Sequence, residues 1–119
     1  MKEIHMTEGN YIPYTTTAKS ITFDDDVSIN LQKREADEDV TIDVCYNIDK
    51  ELTVGVKSES ESYVAQVLIP ARQYTTATVD NPDFDSTRDA DDATNPKTIT
   101  EKKAVPFDIE KCTVRLFAI

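Results

Sequence analysis

Val40-Thr41-Ile42-Asp43-Val44-Cys45-Tyr46 places Val40, Ile42, Val44 and Tyr46 on one face and Thr41, Asp43 and Cys45 on the other, the period-two alternation of a half-buried β-strand. Asn47-Ile48-Asp49-Lys50 then supplies turn formers, and Leu52, Val54 and Val56 resume the alternation with Thr53, Gly55 and Lys57 outward. The two runs read as an antiparallel hairpin.

Composition extends this reading to the whole chain. Ile, Val and Thr supply 35 of the 119 residues and Leu only 4, a bias toward side chains that are stiff at χ1 and fit a pleated sheet. Downstream of the hairpin, residues 57–62 form a polar connector and residues 63–71 a longer apolar strand. Pro70 cannot donate to a ladder and so marks an edge, a bulge or a strand end. Residues 72–79 are rich in β-formers and read as an extension of that strand, bent at Pro70. Upstream, residues 20–23 and 27–31 flank Asp24-Asp25-Asp26 as a second hairpin, and residues 11–14 add a short edge strand within an N-terminal arm, residues 1–18. Residues 105–109 and 112–119 are expected to be strands. No window shows the i, i+3, i+4, i+7 spacing of an amphipathic helix. The expectation is one all-β domain over residues 1–119: a small antiparallel β-sandwich, jelly-roll-like fold or barrel.

Residues 80–103 stand apart, lacking Val and Leu and reading as a long acidic loop inserted between strands. Residues 80–92 hold six Asp and one Arg, a net of -5, while residues 97–115 carry a net of +2. Six Asp in so short a span repel one another, so the loop is expected to be mobile and to act through charge, with Lys97, Lys102, Lys103 or Lys111 as counter-charges.

Charge bounds the partners. Twenty-three acidic against thirteen basic residues give a net charge of -10, which repels phosphate backbones and anionic lipid alike, so neither nucleic acid nor a membrane surface is expected as a partner. Residues 1–6 lack the continuous apolar stretch of a secretion signal, which makes a cytoplasmic location, or one inside an assembled particle, the expectation. Cys45 and Cys112 are too few for a disulfide framework. Cys112 shares a face with Val114 and Leu116 and reads as a buried free thiol, with a Cys45–Cys112 bridge as the alternative.

Chemistry-bearing motifs are sparse. Asp83, Asp85, Asp89 and Asp91 suggest a calcium loop, because hard cations take clustered oxygens, but an EF-hand counted from Asp83 meets Arg88 where Gly is required and Thr94 where Glu is required. A solvated acidic loop is the favoured reading. His5 is the only histidine and sits in the N-terminal arm, where a surface role is expected. Gly9 and Gly55 are the only glycines, which leaves no glycine-rich phosphate loop. No catalytic residue, metal or cofactor is assigned. Tyr11, Ile12 and Tyr14 form an aromatic stretch in the arm, suited either to docking on a neighbouring subunit or to covering the chain's own core. Together these features are compatible with a non-enzymatic assembly subunit, such as a small phage or prophage virion protein, that self-associates as a homo-oligomer through its arm and sheet edges. The alternative is a β module binding carbohydrate or another small polar ligand through its five tyrosines.

Overall fold

The structure, a computed structural model, describes residues 1–55, 62–88 and 94–119. The described residues form ten strands in order: β1 (Lys2–His5), β2 (Tyr14–Thr16), β3 (Ser20–Phe23), β4 (Val27–Asn30), β5 (Val40–Tyr46), β6 (Leu52–Val54), β7 (Ser62–Ile69), β8 (Tyr74–Asp80), β9 (Thr98–Ala104) and β10 (Thr113–Leu116). Among the described residues helix is confined to two single turns, α1 (Leu31–Arg34) and a 3-10 turn at Ile109–Lys111. The fold is all-β. Its strands form a five-stranded sheet in the order β1-β10-β7-β5-β6, a three-stranded sheet β2-β3-β4 and a two-stranded sheet β8-β9; among the described residues none closes into a barrel. The chain divides into two compact units, Met1–Arg72 with Pro106–Ile119, and Gln73–Val105.

In the first unit the alternation of β5 governs the packing. Ile42 and Val44 join Ala65, Val67 and Ile69 of β7 and Val114 and Leu116 of β10 in a buried cluster, to which Ile21, Phe23, Ile29 and Leu31 contribute from the three-stranded sheet and its continuation. Each Val, Leu, Ile or Phe side chain so buried stabilises by roughly 1.5–3 kcal/mol. The expected hairpins form: β3 and β4 pair around Asp24–Asp26, and β5 pairs β6 around the turn at Asn47. Val56 lies outside the described residues, as does most of the 57–62 connector.

One irregularity redirects the pattern. Val44 pairs with Ala65 but Cys45 pairs with Tyr63, so Val64 is an extra residue in β7, a β-bulge. Cys45, which alternation turns away from Val44, is nevertheless buried, at 1 % exposure, outside the main cluster. Cys112 is buried within that cluster, and Cys45 and Cys112 are not bridged to each other.

The structure departs from several expectations. The arm contains β1, which pairs parallel to β10, so the five-stranded sheet is mixed rather than antiparallel; its polar Lys2, Glu3 and His5 hid it, because an edge strand needs little apolar surface. Residues 72–79 are not a bent extension of β7. That strand stops at Ile69, before Pro70, and Tyr74–Asp80 belongs to a different sheet. Residues 105–109 are not a strand: Asp108 accepts from the Glu110 amide at 3.0 Å and nucleates the 3-10 turn instead. Leu31 leaves β4 to start α1, whose Lys33 amide is capped by Asn30 Oδ1 at 3.1 Å.

The largest correction concerns residues 80–103, which are not a loop throughout. Thr98–Ala104 is a seven-residue strand paired with β8 from Tyr74↔Ala104 to Asp80↔Thr98. Thr and Ile favour the strand intrinsically, and every residue of β9 is exposed, so no apolar alternation was needed to announce it. This hairpin buries no hydrophobic side chain among its described residues; the buried apolar residues all lie in the first unit.

Candidate functional site

Three surfaces collect the side chains that sequence reading singled out. The first lies at the rim of the core. Glu3 and His5 of β1 sit opposite Val114 and Leu116, on the core-facing side of the sheet edge, where Tyr11 and Tyr14 approach them. Glu3 Oε1 accepts from the Tyr14 hydroxyl at 2.7 Å, while Glu3 Oε2 lies 2.8 Å from His5 Nε2. His5 stacks on Tyr11 with ring centroids 4.1 Å apart. With Pro13 and Leu116 these side chains line an open depression of about 560 Å³. Burial and the Glu3 carboxylate push the Tyr14 phenol up to about 12, and the hydrogen bonds from Tyr14 and His5 hold Glu3 below its ordinary value. Ile12 is buried at 2 % in the chain's own core, whereas Tyr11 and Tyr14 are only partly buried. The sequence did not disclose that the lone His5 would meet Glu3 and two tyrosines, since β1 itself was not legible.

The second surface is built on the β5–β6 turn. Asn47 Oδ1 accepts from the amides of Asp49 and Glu51, both at 2.9 Å, and Lys50 takes a positive φ of 59° to close the turn. This framework holds Ile48 in solvent, 80 % exposed. Tyr46, Tyr63, Ser62, Lys50, Ala118 and Ile119 surround it and line a depression of about 670 Å³. Tyr63 packs against Phe117 at 5.7 Å. Chemically the surface offers apolar contact, two phenols and one ammonium.

The third surface is the β8–β9 hairpin. Lys102 Nζ lies 4.1 Å above the Tyr74 ring, and Lys97 Nζ lies 5.9 Å above Phe84, so these lysines meet aromatic faces. At the hairpin end the described residues are tightly bonded. Asn95, 2 % exposed, takes the Asp85 amide on Oδ1 and donates Nδ2 to the Asp85 carbonyl, both at 2.9 Å. Asp85 Oδ1 in turn accepts from the Thr87 amide and hydroxyl, which lowers the Asp85 pKa, and Asp83 donates its amide to Asn81 Oδ1. Of the calcium candidates, Asp83 and Asp85 occupy these turns, while Asp89 and Asp91 lie outside the described residues. Among the described residues no group of three or more metal-ligating side chains comes together, and none contains a helix long and apolar enough to cross a membrane.

Comparison of the chain with protein-family models, with curated proteins and with solved structures finds no significant match in any of the three.

Proposed function

We propose that the protein is a non-enzymatic structural subunit that works by assembly, its first unit acting as a sandwich-like core and its second as a contact element. The observation that carries this reading is the β8–β9 hairpin, two seven-residue strands with no buried apolar side chain. A two-stranded hairpin is marginal in water at best, and pairing with a neighbour supplies the missing burial and hydrogen bonds. A protein partner, including further copies of this chain, fits such a surface better than a small substrate does. The subunit type is that of a small phage or prophage virion protein. Light scattering over a concentration series, with the chain alone and with the products of neighbouring genes, tests it: concentration-dependent association is expected, and a strict monomer in every mixture overturns it.

A second reading has its own support. Tyr46 and Tyr63 line one depression with Lys50 and Ser62, an arrangement of stacking faces beside polar groups that suits a carbohydrate or another small polar ligand. A glycan array at high protein concentration tests it; binding lost in Tyr63→Ala favours the ligand module, and a blank array removes it.

A further inference from the structure

We infer that the edge of β8 left unpaired among the described residues pairs antiparallel with β8 of a second copy of this chain, joining two hairpins into a four-stranded sheet in the order β9-β8-β8-β9. This rests on the assembly reading and gives it a specific contact.

The hairpin has two outer edges, and they differ. Tyr74-Thr75-Thr76-Ala77-Thr78-Val79 carries no charge, no Pro and no Gly, whereas β9 carries Glu101, Lys102 and Lys103. Charged side chains are what keeps an edge from pairing, and a short uncharged run of β-formers is what promotes it. Thr75, Thr76, Ala77 and Thr78 are all exposed.

Backbone direction agrees. The Val105 amide donates to the Gln73 carbonyl and the Asn81 amide to the Lys97 carbonyl, each at 2.8 Å, which makes the odd-numbered residues of β8 the ones bonded to β9. The N–H and C=O groups of Thr76 and Thr78 therefore point to the free edge. A two-fold axis at Ala77 pairs these two residues with each other across the contact, using those outward groups in both strands. The same register sets Thr75 against Val79 and Ala77 against itself, so β-branched side chains meet β-branched ones and no like charges oppose.

Charge selects a second copy as the occupant. In that register Asp80 of one chain stands beside Tyr74 of the other, on the face where Lys102 covers the Tyr74 ring at 4.1 Å. The carboxylate meets an ammonium already held in place, and the symmetry makes this contact twice.

Sedimentation equilibrium on the full-length chain, with folding checked by circular dichroism, tests the proposal. Thr76→Pro removes an outward N–H without touching a bond to β9 and is expected to raise the dimer dissociation constant by more than about tenfold. Thr100→Pro makes the equivalent change on the other edge and is expected to leave it unchanged. Asp80→Lys and Lys102→Glu should each weaken association and the double variant should restore it, a result that loss of folding cannot imitate. Association that survives Thr76→Pro, or that the double charge variant fails to restore, overturns the β8 contact while leaving the assembly reading standing. A wild-type chain that stays monomeric alone but joins a different protein likewise overturns only the contact, and one that stays monomeric in every mixture overturns both.

Discussion

The Tyr14 hydroxyl donates to Glu3 Oε1 at 2.7 Å and so ties the first strand of the three-stranded sheet to the edge strand of the five-stranded one, at the rim of their shared core. The bond needs a protonated phenol and is stronger to an ionised than to a neutral carboxyl group. It therefore couples the junction of the two sheets to pH at both ends of the scale.

Tyr14 is pushed up to about 12 from 10.0, by burial first and by Glu3 second. A group whose folded pKa is raised keeps its proton better in the folded chain, so this stabilisation is complete below pH 10 and is lost as pH rises from 10 to about 12. Glu3 is lowered, so its contribution is present above its ordinary value of 4.5 and fades as pH falls below it. Spectroscopic titration of the phenols checks this: Tyr14 should ionise late, Tyr14→Phe should delete that late step, and Glu3→Gln should move it to lower pH. A late step unchanged by Tyr14→Phe refutes the assignment.

Asp24 and Asp25 both adopt left-handed backbone, with φ of 52° and 50°, to turn β3 into β4. Left-handed backbone in a residue with a Cβ is strained by roughly 1–2 kcal/mol, and three adjacent carboxylates add repulsion. Asp25→Gly should therefore stabilise the chain by about 1 kcal/mol and raise the melting temperature by about 4 °C. The Asp26 amide bonds to the Phe23 carbonyl through the backbone and survives the change. A thermal melt showing no gain would place the relief of strain below the entropy that glycine adds to the unfolded chain.

Gly9 shows the opposite case. Its φ is 146°, and a Cβ built there falls 2.7 Å from the Ala118 Cβ. Around it the Ala118 amide bonds to Thr7 Oγ1 and the Ile119 amide to the Asn10 carbonyl, holding the segment after β10 against the loop. Gly9→Ala should destabilise by about 1–3 kcal/mol in denaturant titration. Adding Ala118→Gly should recover the part due to the clash and not the part due to backbone strain.

Burial, with Glu35 nearby, pushes the Cys112 thiol up to about 11. The thiolate is the reactive form, so Cys112 should resist alkylation at neutral pH in the folded protein and react once denatured. Mass spectrometry after iodoacetamide treatment reads this directly. Rapid native labelling at Cys112 would contradict its burial in the core.

What was legible followed from burial on one face. The alternation of Val40, Ile42 and Val44 marks β5 because its neighbours cover one side, and Cys112 was placed correctly from its phase with Val114 and Leu116. Elements without a buried face left no such trace. β1 carries a single partly buried residue, Ile4, and β9 carries none. The bulge at Val64 was invisible because a pairing shift between strands is a tertiary event, and alternation, which assigned Cys45 an outward position, gave no sign that its own face is covered too. The Glu3–His5–Tyr14 cluster depends on β1 and shared its fate. The turn at Asn47 was readable as a turn, but the exposure of Ile48 at its tip required the two amides that Asn47 captures.

Asn95 offers the sharpest test of order at the end of the hairpin. Its carboxamide matches the Asp85 backbone as an adjacent strand would, accepting from the amide and donating to the carbonyl. Asn95→Asp keeps the acceptor but sets an oxygen against the Asp85 carbonyl oxygen, and it adds a charge to a segment that already holds several acids. Leaving buried polar groups opposed in this way costs about 1–3 kcal/mol. The expected outcome is local: the Asp85 amide should exchange with solvent about tenfold faster or more, while the melting transition of the first unit is unchanged. Asn95→Gln, which keeps both hydrogen-bonding functions on a longer side chain, should fall between the two. Unchanged exchange at Asp85 in Asn95→Asp would mean that Asn95 does not hold the turn.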